Sequence, residues 1–110
     1  MTLRRTDGTV VCARCRVAAT ALLRLRGLLG RRALAVDEGL LLRPAPAIHT
    51  FFMRFPIDVV FLAADGTVLK VVPALRPWRA RACRGAVAVL ELPAGAAARV
   101  GVRPGERLEE

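Results

Sequence analysis

The sequence predicts a mainly β fold: a compact single-domain antiparallel β sandwich or small barrel, with one short N-terminal helix and a helical turn near the C-terminus. Three observations predict it. From Gly39 onward, short apolar runs alternate with Pro and Gly, the texture of an all-β domain. An Asp65-Gly66 pair sits between two such runs, as in a hairpin. The 110 residues, 55% of them apolar, can fill one core but are too few for two domains flanking a cleft.

Taken in chain order, Met1–Thr6 is expected to fray, Asp7-Gly8 marks a turn, and Thr9–Val17 reads as one strand. Thr20 can cap a short helix that ends near Gly30, with Leu22, Leu25 and Leu29 opposite Arg24, Arg31 and Arg32. Strands are then expected at Gly39–Leu42, Ile48–Phe55, Asp58–Leu62, Val68–Val72, Ala86–Leu92 and Glu106–Leu108. The Asp-Gly pair is expected to form a type I′ turn, and Arg103-Pro104-Gly105-Glu106 a type II turn. Ala96–Val100 forms a helical turn closed by Gly101. Glu109 and Glu110 are expected to fray.

Eighteen basic residues against nine acidic ones give +9, so nucleic acid is one class of partner to weigh. Residues 1–36 carry eight Arg against Asp7 alone, whereas residues 37–110 carry ten basic and eight acidic side chains. An anion-binding face is therefore expected in the N-terminal third, with weak, sequence-independent affinity for nucleic acid. Arg76-Pro77-Trp78-Arg79 is the one place where Arg and aromatic residues interleave. No apolar run reaches the roughly 18 residues of a membrane helix, and Arg14 and Arg16 interrupt the only candidate signal peptide. The expected location is cytoplasmic, with reduced thiols.

The densest stretch for chemistry is Ile48–Leu62. In a strand, His49, Phe51, Met53 and Phe55 would share one face and Thr50, Phe52 and Arg54 the other. Asp58, set among apolar residues, requires Arg54, His49 or backbone amides as partners. His49, Thr50, Arg54 and Asp58 are thus the ligand-binding candidates, either as a structural network or as a pocket mouth for a small anionic ligand. Glu91 joins them as a second acid inside an apolar strand, able to form an acid pair or hard-cation site if it faced Asp58. The chain contains no Ser and no glycine-rich phosphate loop, so no catalytic residue is assigned. Cys12-Ala13-Arg14-Cys15 spells Cys-x-x-Cys, but a continuous strand would put the two thiols on opposite faces. No metal or cofactor is expected, the weak alternative being a site built from Cys12, Cys15, Cys83 and His49.

The segments RLRGLLGRRAL, GLLLRP, IHTFFMRFPIDVVFLAADGTVL, PWR and VLELPAGAAARVGVRPGERL together resemble the bacterial and archaeal family called domain of unknown function 192. The resemblance covers about Gly8 to Leu108. It implies a compact, mainly β domain with a short helix near the N-terminus and brings no established activity. The motif positions are Gly27, Leu28, Met53, Pro56, Asp58, Gly66, Glu91, Pro93, Gly95 and Gly105. The expected function is a non-enzymatic binding or accessory module acting on a small anionic ligand or a protein partner. The alternatives are a small-ligand-binding protein or enzyme using His49, Arg54 and Asp58, and a basic module associated with nucleic acid.

Overall fold

The computed structural model describes residues 1–20 and 30–110. The expected helix between Thr20 and Gly30 lies outside the described residues. Ten strands and one helix are described: β1 (Leu3–Arg5), β2 (Val10–Cys12), β3 (Arg14–Ala18), β4 (Glu38–Leu42), β5 (Ala47–His49), β6 (Ile57–Leu62), β7 (Val68–Leu75), β8 (Ala80–Ala82), β9 (Ala88–Pro93), α1 (Ala96–Val100) and β10 (Leu108–Glu109). They form a five-stranded sheet ordered β3-β4-β9-β6-β7, a three-stranded sheet ordered β10-β1-β2 and a two-stranded ribbon of β5 and β8. The fold is mainly β, and none of the three sheets closes into a barrel.

The central strands β6 and β9 are buried along both faces because each face carries its own core. Val60, Leu62, Leu90 and Leu92 pack with Leu3, Cys12, Cys15 and the helix residues Ala96 and Ala97. On the other face, Ile57, Val59, Phe61 and Val89 pack with Leu40, Ile48, Met53 and Leu75. A strand buried on both sides reads as a continuous apolar run, as Val59–Leu62 and Val89–Leu90 do.

Several expectations are corrected. The sheet is not wholly antiparallel, since β3 runs parallel to β4. The chain between them, residues 19–37, is long enough for the crossover a parallel pair requires. Parts of both ends pair in the small sheet: Asp7-Gly8 folds β1 onto β2, and β10 brings Glu109 opposite Arg4. Thr9–Val17 breaks at Ala13, where the chain bends from the small sheet into the large one. Ile48–Phe55 ends as a strand at His49, because Met53 donates to the Thr50 carbonyl at 3.2 Å and closes a turn. The Asp-Gly hairpin is present, but only Gly66 has positive φ, at 89°. Gly66 donates to the Ala63 carbonyl and Ala63 to that of Thr67, so the turn carries a glycine bulge and is not type I′. The Pro104-Gly105 turn and the helical turn Ala96–Val100, capped by Gly101 at φ 75°, match expectation.

Candidate functional site

The two acids within the central strands point to opposite faces of the sheet. Asp58 lies across from Leu92 and Glu91 across from Val59, one register step apart, and successive residues of a strand alternate sides. They form neither an acid pair nor a cation site. Asp58 is 1% exposed and accepts the Ala74 amide at 2.8 Å and the Ala97 amide at 2.9 Å. Pro73 and Ala74 together face Asp58, a bulge of one extra residue in β7, shown by the register step from Ile57↔Leu75 to Val59↔Val72. The carboxylate therefore fastens that bulge, where Ala74 has φ 46°, and the first turn of α1 to β6. Glu91 lies between Leu40 and Val59, only 2% exposed. Burial pushes its carboxyl up to about 8.

His49, Arg54 and Asp58 are not brought together. Both His49 and Arg54 are exposed, while Asp58 spends its oxygens on backbone amides inside the fold. Thr50 is fully buried, and its hydroxyl donates to the Arg76 carbonyl at 2.6 Å and accepts the Arg79 amide at 3.0 Å. Its own amide donates to the Arg79 carbonyl, and its carbonyl accepts the Trp78 amide. Thr50 thus positions two loops, 50–56 and 76–79.

What those loops present is a row of aromatic rings. His49 stacks on Phe51 with centroids 4.9 Å apart, Phe51 on Trp78 at 5.8 Å, and Phe52 meets Trp78 at 4.6 Å. Phe52 is 69% exposed and Trp78 56%. Both hold left-handed backbone, with φ 66° and 65°. That conformation costs a bulky residue about 1–2 kcal/mol, so the Thr50 hydrogen bonds must impose it. Beside the row, the outer face of the β5–β8 ribbon is paved with Ala47, Ala80 and Ala82, whose short side chains leave an open trough of about 530 Å³ walled by His49, Phe51 and Arg81.

Charge is uneven around this row. Arg54, Arg76, Arg79 and Arg81 are all exposed, and no acid occurs between Glu38 and Asp58 or between Asp65 and Glu91. Among the described residues, Arg79 and Arg81 hydrogen-bond the carbonyls of Trp78 and Ala80. Near the N-terminus, by contrast, Arg5 pairs with Glu106 and Asp7, Arg14 with Asp37 and Arg31 with Glu38. Three of the arginines in the N-terminal third are thus ion-paired.

The family comparison agrees with the motifs, since DUF192 (Uncharacterized ACR) matches residues 2–110. The chain belongs to the DUF192 family. Two solved structures resemble it closely. One is a protein of unknown function from Novosphingobium aromaticivorans DSM 12444, with TM-score 0.85 and 28% identity over 99% of this chain and 82% of that one. The other, from Sinorhizobium meliloti 1021, is provisionally named a transcription regulator, with TM-score 0.84 and 31% identity over 98% and 89%. No curated protein matches.

In this DUF192 member the Cys-x-x-Cys thiols do meet, contrary to the strand argument. The bend at Ala13 turns Cys12 and Cys15 into one apolar cluster. Cys12 Sγ donates to the Asp37 carbonyl at 3.6 Å and Cys15 Sγ to the Arg16 carbonyl at 3.9 Å; the neighbouring Cys15 lowers the Cys12 thiol, while Cys12 and burial push the Cys15 thiol up. Cys83 packs against the opposite core and His49 lies on the outer ribbon, so the four are not gathered. No group of three or more metal-ligating side chains occurs among the described residues. No described helix is long and apolar enough to cross a membrane.

The sequence signal for the aromatic row was the Arg76-Pro77-Trp78-Arg79 interleaving. Its partner, Phe51-Phe52, falls within the expected strand Ile48–Phe55, and nothing in a linear pattern shows that Thr50 ties the two segments together.

Proposed function

We propose that this protein is a non-enzymatic binding module whose recognition surface is the aromatic and arginine-bearing end formed by residues 49–54 and 76–82. The observation that carries the reading is the exposed row of His49, Phe51, Trp78 and Phe52, with two rings held in strained backbone by the buried Thr50. Strain maintained to expose apolar rings favours recognition, because folding alone would bury them. Against an enzyme stands the scatter of the titratable candidates: Asp58 and Glu91 on opposite sheet faces, His49 and Arg54 at the surface. A second concavity, of about 310 Å³, mixes Arg43 with Asp65, Glu109 and Glu110 and has no aromatic lining.

Backbone amide NMR provides the test. A panel of mononucleotides, oligonucleotides, acidic peptides and anionic vesicles is titrated into the labelled protein. The reading expects at least one probe to shift residues 49–54 and 76–82 together. Shifts confined to the N-terminal arginines or to the Arg43 concavity, or none with any probe, would overturn it.

A further inference from the structure

We infer that the partner of this surface is single-stranded nucleic acid, bound by base stacking on Trp78 and Phe52 and by guanidinium contacts to phosphates. The inference rests on the binding-module reading and names the ligand class of the same surface. Three features narrow the chemistry. Phe52 and Trp78 keep more than half of their surface open to solvent, and aromatic surface stacks on any base without reading its edge. Arg54, Arg76, Arg79 and Arg81 supply positive charge with no acid in either flanking segment, so the complementary partner is a polyanion. The Ala-paved trough beside Phe51 and Arg81 is shallow and open to solvent, so an extended strand is not sterically excluded.

Other occupants fit less well. A duplex hides its base faces and would use only the charge. An acidic peptide would satisfy the guanidiniums but carries few flat groups for the rings. An anionic bilayer would accept rings and arginines alike, but would not need a trough. With four arginines engaged, the logarithm of affinity should fall against the logarithm of salt with a slope of about −3, from roughly −0.7 per phosphate on single strands. Because no base edge is read, affinity should be weak and nearly independent of sequence.

The experiment is fluorescence anisotropy of an end-labelled ten-residue oligothymidylate with the full chain, at several salt concentrations. A blunt duplex of equal length and phosphatidylglycerol vesicles serve as comparators. Trp78→Ala should weaken binding about tenfold, and Trp78→Phe, which keeps a stacking ring, should restore most of it. Arg79→Ala should flatten the salt slope by about 0.7, whereas Arg4→Ala should leave affinity unchanged. Circular dichroism and melting confirm that each variant is folded. Duplex binding equal to single-strand binding, together with no effect of Trp78→Ala, would overturn the inference. So would vesicle binding at residues 49–54 and 76–82 without oligonucleotide binding, a result that leaves the binding-module reading standing. Failure of every probe to engage this end would remove both.

Discussion

Replacing Glu91 with Gln should alter how stability depends on pH. The carboxyl is pushed from its ordinary 4.5 up to about 8 by burial between Leu40 and Val59. The folded protein therefore keeps this proton to about pH 8, while the unfolded chain releases it near 4.5. Across that window the unfolded state binds fewer protons, so stability falls as pH rises, by about 1.4 kcal/mol per pH unit. Between pH 5 and 8 the loss is about 3–4 kcal/mol, a large part of the 5–15 kcal/mol typical of a domain. Gln carries no titrating proton in either state. Glu91→Gln should match the parent within about 1 kcal/mol at pH 5 and exceed it by about 3–4 kcal/mol at pH 8. Guanidinium unfolding at pH 5, 6, 7 and 8, followed by circular dichroism, measures both profiles. If they run parallel, Glu91 is ionised and solvated in the folded protein, and the burial argument fails.

Asp58→Ala leaves the Ala74 and Ala97 amides without their acceptor and should cost about 3 kcal/mol; an unchanged denaturation midpoint would show that water replaces the carboxylate at no cost. Thr50→Val keeps the shape but removes the bonds to Arg76 and Arg79, so about 1–2 kcal/mol should be lost. The emission of Trp78 should change at the same time, and an unaltered spectrum would show that the backbone bonds alone hold the row. Gly39→Ala places a methyl 2.7 Å from Cys12 Sγ and 3.2 Å from the Glu91 carbonyl. It should destabilise by about 1–3 kcal/mol, and Cys12→Ala in the same chain should recover part of that; full additivity of the two losses would contradict the proposed clash.

By itself the sequence determined the elements whose signals are local. Alternating apolar runs separated by turn residues placed β4, β6, β7 and β9, and Asp65-Gly66, Pro104-Gly105 and Gly101 marked the reversals between segments. The motifs placed the chain in its family, and the isolation of Asp58 among apolar residues required that its charge be satisfied. Only the tertiary structure decided where separate segments meet. Which amides reach Asp58 depends on a bulge in β7 and on a helix 39 residues away. The opposite orientation of Glu91 depends on the register between β6 and β9. The thiols meet because the chain bends at Ala13, and the aromatic row exists because Thr50 bonds to residues 26 and 29 positions further along. Net charge likewise does not show which arginines are ion-paired, since it counts them without their partners. Local pattern reflects propensity and burial, which act over a few residues; ion pairs, register and stacked rings form across the fold, where linear spacing carries no record of them.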